Sequence, residues 1–244
     1  MATPHPAVPS FVQDELPRLG VEAAPAMLER LAVYLDQLLE ANRRFNLTAV
    51  RDRETAWRRH VIDSLTLLAG LETLPAGATI IDVGSGGGLP GIPLAIARPD
   101  LRVTLLEATG KKARFLEQCV ATLALGNVQV VQDRAEHAGQ SAAHRGRYDV
   151  AVCRALGPMN VLAEYTLPLV KQGGRVLAMK GPTVERELDA AADALATLGA
   201  GDLAVIDAYP PGFDRHTVIV SIVKDRPTPR AYPRLPGVPK QSPL

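Results

Sequence analysis

IIDVGSGGGLPG, residues Ile80 to Gly91, decides the fold. A short β-branched run, Thr79–Val83, gives way to glycines at 84, 86, 87, 88 and 91, and a helical pattern starts behind Pro90 and runs to Arg98. Glycine lets the backbone turn tightly and lets a ligand come close where a Cβ would collide. Between a strand and a helix, such a turn sits at the carboxyl edge of an open α/β sheet, where ligands bind. Gly86 to Gly91 also fits the G-x-G-x-x-G spacing of dinucleotide sites, a match that purely structural turns make as well.

Outward from this turn, short apolar runs alternate with helical periodicity. Arg102–Glu107, Val128–Val131, Tyr148–Cys153 and Arg175–Met179 read as strands. Lys111–Leu125 reads as a helix capped by Gly126, with Phe115, Leu116, Cys119, Val120 and Leu123 on one face, and Pro158–Val170 and Val184–Leu198 read as further helices. This alternation predicts a parallel sheet covered on both faces. Leu203–Tyr209 and His216–Val223 are separated by too few residues for a helical crossover, so they are expected to pair antiparallel. On the N-terminal side, residues 1–20 read as a loose Pro-rich lead-in. Two helices follow, one from Met27 to near Asn42 and one from about Arg53 with Gly70 as its stop, and residues 74–78 form a linker. The expected fold class is α/β: a mostly parallel sheet with a C-terminal antiparallel hairpin, plus a small N-terminal helical lobe. The expected division is a lobe over residues 1–74, a ligand-binding domain over 75–224 and a basic Pro-rich tail over 225–244. That tail should be extended, either solvated or draped over the domain.

Composition narrows the function. The chain has 244 residues, 47% of them apolar, enough to bury a full core. Lys and Arg number 27 against 26 Asp and Glu, which excludes a polycation but leaves room for a local basic face. Two cysteines, Cys119 and Cys153, make neither a zinc site nor a disulfide framework and read as core residues. The scattered histidines form no metal constellation, so no metal is expected. The N-terminus shows no signal-peptide pattern and no apolar run is long enough to span a bilayer, so a cytoplasmic protein without membrane contact is expected.

Two carboxylates speak to the ligand. Glu107 ends the second strand, where a carboxylate accepts both hydroxyls of a ribose, whether of NAD or of S-adenosylmethionine. Asp82, at the end of the first strand, would repel a pyrophosphate but attract an ammonium or sulfonium; alternatively it orients the loop through hydrogen bonds.

The ordered motifs DVGSGGGLPGIPLA, LLEATGKKARFLE, DRAE, CRAL and AMKG, flanked by NLTAV, HVIDSLTLL and AYPRLPGVPKQSPL, resemble the class I S-adenosylmethionine-dependent methyltransferases, with their Rossmann-like sheet. More narrowly, they resemble the bacterial 16S ribosomal RNA guanine methyltransferases once called glucose-inhibited division protein B. The resemblance runs from about Asn42 to the C-terminus. It implies methylation of ring nitrogen 7 of a guanine in 16S rRNA, on the RNA or on a 30S subunit or assembly intermediate. The cofactor would be S-adenosyl-L-methionine and the product S-adenosyl-L-homocysteine; separately, a monomer is expected. Carried over by position, Gly84, Gly86, Gly88 and Leu89 line the amino-acid half of the cofactor. Glu107, Ala108 and Thr109 hold the ribose, Ala135 and Glu136 flank the adenine, and Arg154 stands at the pocket mouth. Leu89 stands where the family often has an aromatic residue.

Nitrogen 7 carries a free lone pair at neutral pH, so no base must act before attack and no catalytic dyad is expected. Four residues remain as catalytic candidates: Arg154, Lys180, His60 and Asn46. His60 shares a helix face with Trp57 and Ser64 and is either functional or a brace under the glycine loop. Asn46 either reads the base or holds a turn. Lys180, at a strand end, meets RNA phosphate or solvent. Arg43, Arg44, Arg51, Arg53, Arg58 and Arg59, together with tail residues Lys224, Arg226, Arg230, Arg234 and Lys240, are expected to contact phosphate. Two other functions fit parts of the pattern. An NAD-linked oxidoreductase fits the glycine spacing but has no proton donor in place, and an assembly factor would bind RNA and keep the cofactor only as a structural ligand.

Overall fold

The computed structural model describes residues 8–244. Seven strands form one sheet: β1 (Thr79–Val83), β2 (Arg102–Leu106), β3 (Val128–Val131), β4 (Tyr148–Arg154), β5 (Val170–Lys180), β6 (Ala200–Asp207) and β7 (Val218–Lys224), with the apolar runs of β1, β2 and β4 buried and the edge strand β6 exposed. The order is β3-β2-β1-β4-β5-β7-β6. The first five are mutually parallel, and β7 inserts antiparallel between β5 and β6. The direction of winding reverses between β1 and β4, the place where open α/β sheets bind ligands.

Helices cover both faces. On one side lie α1 (Ser10–Arg18), α2 (Pro25–Asn42), α5 (Gly91–Ala97) and α6 (Gly110–Thr122). Between α2 and β1 on the same side runs a segment made of α3 (Arg53–Ala56), a π-helical stretch (Trp57–Ile62), α4 (Asp63–Leu65) and a 3-10 turn (Thr66–Leu71). Leu31, Tyr34, Leu35, Leu38 and Trp57 of this side share one core with Ile80, Leu105 and Val150 of the sheet. The N-terminal helices thus bury part of the sheet as well as one another. Ala138 of α7 (Ala135–Gln140), Met159 and Leu162 of α8 (Met159–Thr166), Val184 of α9 (Val184–Ala190) and Leu198 of α10 (Ala192–Leu198) pack on the opposite face. Among the described residues no helix is long and apolar enough to cross a membrane, and no cluster of metal-ligating side chains forms.

The predicted elements are present, with instructive shifts. Residues 10–18 of the supposed lead-in are helical, because Val12 and Leu16 lie one turn apart and both are buried. Helix α6 ends at Thr122, and the left-handed residue behind it is Ala124 at φ +48°, not Gly126. The predicted helix 184–198 breaks at Ala191, and α7 forms over residues to which the sequence pattern assigned no element. Strand β5 starts before its predicted limit and runs through Gly173 and Gly174. Both cysteines are core residues, and burial pushes the Cys119 thiol up to about 12.

The tail is draped. Arg145 donates to the carbonyls of Thr228 and Pro229 at 2.8 and 3.1 Å and of Tyr232 at 2.6 Å. Arg234 forks onto the fully buried Glu164, with Nε to Oε1 at 2.9 Å and Nη2 to Oε2 at 2.6 Å. A last short helix, α11 (Val238–Gln241), closes the chain.

Candidate functional site

Strands β1, β2 and β4 end side by side: Val83 lies opposite Leu106, and Asp82 opposite Val152. The chain leaving β1 is clamped to β2, because the amides of Gly84 and Ser85 both donate to the Leu106 carbonyl, at 2.9 and 3.1 Å. Gly84 has φ +73°, and a Cβ there would stand 2.7 Å from Leu156 Cδ1, so glycine is required on two counts. The Glu107 carboxylate is buried, not a solvated strand end. Its Oε2 accepts the Gly86 amide at 2.9 Å and its Oε1 the Thr109 amide at 2.7 Å, which ties the glycine turn to the N-terminus of α6. From the other side Tyr34, fully buried on α2, donates to the Gly87 carbonyl at 2.7 Å.

A pocket of ≈ 150 Å³ opens over this turn, between Gly84, Glu107, Ala108, Ala135, Glu136 and Leu156. Gly86 and Gly88 shape the turn behind it, and Thr109 stands at the N-cap position of α6 beside it. Leu89 lies in the hydrophobic core and does not line the pocket, because the turn folds its side chain inward. The Glu136 carboxylate is spent on the protein itself. It accepts from Arg134 Nη2 at 3.0 Å and from the Gly237 amide of the tail at 2.8 Å. Burial opposes its charge, but these partners outweigh burial and hold the carboxyl below its usual range. Asp82 sits beneath the turn. Its Oδ2 accepts the Gly91 amide at 3.0 Å, capping α5, and burial raises its carboxyl to about 7. The residues of the pocket fit a nucleoside: a cradle at Gly84 that a Cβ would fill, a carboxylate at ribose position and apolar walls at Ala135 and Leu156.

Ala155, at φ +54°, turns the chain after β4 and separates this pocket from a wider cleft of ≈ 490 Å³. Arg154, His60, Thr48, Asp63 and Lys180 line that cleft. Arg154 donates to the Arg59 carbonyl at 2.6 Å and to His60 Nδ1 at 2.9 Å. His60 Nε2 meets Thr48 Oγ1 at 2.7 Å. Burial and the adjacent guanidinium push the imidazole down to about 4, so it is neutral and carries its proton on Nε2. His60 is therefore a brace, but under Arg154 and the 48–50 loop instead of under the glycines. Ser64 bonds only its backbone carbonyl.

Two other candidates are relocated. Lys180 reaches the cleft edge, and its ammonium donates to the Gly157 carbonyl at 3.0 Å and pairs with Glu187, so it fixes the turn after β4. Asn46 is exposed and lies outside the cleft lining. The turn is held by Asn42, whose Oδ1 accepts the amides of Leu47 and Thr48 at 2.8 and 3.0 Å and whose Nδ2 donates to the Val50 carbonyl at 3.2 Å. Its position at the end of α2 was the only sequence signal. Tyr34 was legible only as part of an apolar stripe. Of the tail cations, Lys224 is buried against the carbonyls of Leu167 and Val170, Arg226 bonds the Ala196 carbonyl, and Arg234 holds Glu164. Lys224 and Arg234 are thereby spent inside the fold, whereas Arg226 remains exposed.

The sequence model described as rRNA small subunit methyltransferase G matches residues 27–217. The chain belongs to the rRNA small subunit methyltransferase G family. Similar members include the ribosomal RNA small subunit methyltransferase G of Moorella thermoacetica, 45% identical over 92% of this chain and 93% of that protein. Another is the protein of the same name from Symbiobacterium thermophilum, 44% identical over 96% of this chain and 97% of that one. Among solved structures, MtNAS in complex with MTA and tNA superposes with a TM-score of 0.54 at 15% identity, covering 81% of this chain and 73% of that one. M. jannaschii TYW2 in complex with AdoMet gives 0.50 at 14% identity, over 66% and 74%. These two likenesses are of fold. With the family established, the expectation of an oxidoreductase falls away.

Proposed function

We propose that this member of the rRNA small subunit methyltransferase G family transfers the methyl group of S-adenosyl-L-methionine to ring nitrogen 7 of one guanine in 16S rRNA, in the cytoplasm and as a monomer. The observation that carries the reading is the pair of adjoining cavities at the carboxyl ends of β1, β2 and β4. One is a glycine-floored pocket with a buried carboxylate, the other a wider cleft with a fixed guanidinium. In this reading residues 75–224 hold the cofactor, the basic segment of the 1–74 lobe faces the RNA and residues 225–244 brace the domain.

When bound, S-adenosyl-L-methionine supplies a methyl group already activated by its sulfonium, so the work left to the protein is alignment. Glu107 accepts the ribose hydroxyls, with Ala108 and Thr109 beside them. Ala135 offers a wall to the adenine, and residues 84–88 leave room for the amino-acid end. Arg154 is held in one orientation by the Arg59 carbonyl and by neutral His60. In the cleft it donates to an acceptor on the base edge such as the guanine O6. That leaves nitrogen 7, which needs no deprotonation, free for in-line attack.

A single-turnover assay with methyl-labelled cofactor tests this on protein-free 16S rRNA and on 30S particles. Label should enter RNA and, after borohydride reduction, aniline should cut the chain at one guanine, as it does at 7-methylguanine. Label in another position overturns the assignment to nitrogen 7. Tight binding of RNA and cofactor without any transfer makes the protein an assembly factor.

A further inference from the structure

A second groove opens on the other side of the 45–50 loop, between α2 and α6, with a volume of ≈ 350 Å³. The buried Phe115 ring forms part of its floor. Phe45 stands over that floor, edge to face with Phe115 at 6.3 Å between centroids and half-buried. Arg44, Lys111 and Arg114 rim the groove, all exposed, and Lys111 Nζ lies 5.8 Å from the Phe45 centroid. Glu40, the carboxylate on the rim, is shared between Arg43 and Arg44 at 3.2 Å each, while Lys111 and Arg114 have no carboxylate partner among the described residues. An aromatic ring flanked by two uncompensated cations and a third paired only on the surface meets the physical requirement for holding an unstacked nucleotide: a π-face for the base and positive charge for its phosphates.

Position strengthens the match. The 45–50 loop separates this groove from the Arg154 cleft: Phe45 lies on one side of it and Thr48 on the other. Asn42 locks the loop from within, and Leu47 packs near Gly87 of the cofactor turn. A strand whose guanine enters the cleft reaches this groove by crossing the loop.

We propose that the α2–α6 groove is a subsite for a single-stranded nucleotide adjacent to the methylated guanine, stacked on Phe45 with its phosphates between Arg44, Lys111 and Arg114. This rests on the reading of the neighbouring cleft as the acceptor site. It adds a contact that sets RNA affinity without touching the cofactor.

The test compares the full-length wild type with Phe45→Ala, Phe45→Leu, Phe45→Trp and a Lys111→Gln/Arg114→Gln double variant. Cofactor affinity by calorimetry should be the same in all, which shows that the variants fold. On protein-free 16S rRNA, Phe45→Ala and Phe45→Leu should weaken RNA binding about tenfold and raise KM for RNA by a similar factor, while Phe45→Trp stays near wild type. The double variant should flatten the slope of log affinity against log salt by about 1.4, two phosphate contacts on a single strand. Phe45→Leu behaving as wild type means that the ring only packs, which overturns the stacking subsite, and an unchanged salt slope overturns the phosphate contacts. Defects seen on 30S particles but not on protein-free RNA assign the groove to a ribosomal protein and overturn the proposal too. A wild type that binds 16S rRNA with the expected variant effects but transfers no methyl leaves the groove standing and sinks the reading of the cleft instead.

Discussion

Asparagine in place of Asp82 should stabilise the protein in mild alkali and destabilise it in acid. The carboxyl is fully buried at the end of β1. Its Oδ2 accepts the Gly91 amide at 3.0 Å, while its Oδ1 meets no donor among the described residues. Burial, only partly offset by that amide, raises it from 3.8 to about 7. The unfolded chain releases this proton near the ordinary value and the native protein near 7. Between those limits the unfolded state binds fewer protons, so stability falls as pH rises. At about 1.4 kcal/mol for each pH unit, the whole window costs about 4 kcal/mol. Asp82→Asn removes that cost. An amide turned to accept from Gly91 places its NH2 where Oδ1 now has no partner, and a buried unsatisfied donor costs roughly 1–3 kcal/mol. The variant should therefore be more stable than wild type by about 1–3 kcal/mol near pH 8, and less stable by up to about 2 kcal/mol near pH 4.5. Urea unfolding of both proteins without cofactor, at these two values and at one between, measures the difference directly. A difference of one sign and constant size would refute the reasoning, because the native carboxyl would then not change charge in this range.

His60 should show the opposite dependence. Its native imidazole stays neutral down to about 4 against an ordinary 6.5, so its contribution is present above 6.5 and lost as pH falls toward 4, about 3 kcal/mol in all. The stability gap between wild type and His60→Gln should shrink across that window, and a gap independent of pH contradicts the neutral brace. Tyr34→Phe strands the Gly87 carbonyl without its buried donor. It should cost roughly 1–3 kcal/mol in urea unfolding and weaken cofactor binding in calorimetry, and unchanged values for both would show that the turn stands without α2. Glu164→Gln leaves Arg234 without its buried counter-charge. A loss of about 3–5 kcal/mol is expected, with new protease cuts between Arg226 and Arg234; an intact tail under protease would argue against the clamp.

What could be read from sequence was local. Residues 79–91 carry strand, turn and helix in one stretch, and β1 and the start of α5 fall where the pattern puts them. The terminal hairpin was legible because a short connection forbids a crossover, but nothing local says that β7 slips between β5 and β6. The misreadings share one cause: a partner far away in the chain. Lys180 looks like a free strand-end cation until Gly157 and Glu187 are in place. Asn46 and Asn42 carry the same amide four residues apart. Which of them organises the loop depends on where α2 stops, and the stop sets Asn42 inside the turn and Asn46 outside. Ala124 takes a left-handed conformation that composition assigns to Gly126, because α6 ends before its apolar pattern does.

The same long-range pairing redraws the charge map of a chain whose net charge is only +1. In sequence the tail and the 42–60 segment look like equivalent basic arms. In the fold, Arg234 is absorbed by a carboxylate with no solvent contact, Lys224 by two main-chain carbonyls, and Arg58 by Glu15. Arg43 and Arg44 differ in kind. Their side chains are 80% and 73% exposed and share one exposed Glu40, a pairing worth little in water and easily exchanged for phosphate. Reversing charge at Arg234 should therefore lower the melting temperature and leave the salt slope of RNA binding unchanged. Reversing it at Arg43 and Arg44 should flatten that slope and leave the melting temperature where it was. If both sets moved the slope alike, the tail would have to leave Glu164 when RNA arrives, and a draped tail would be the wrong description of the bound protein.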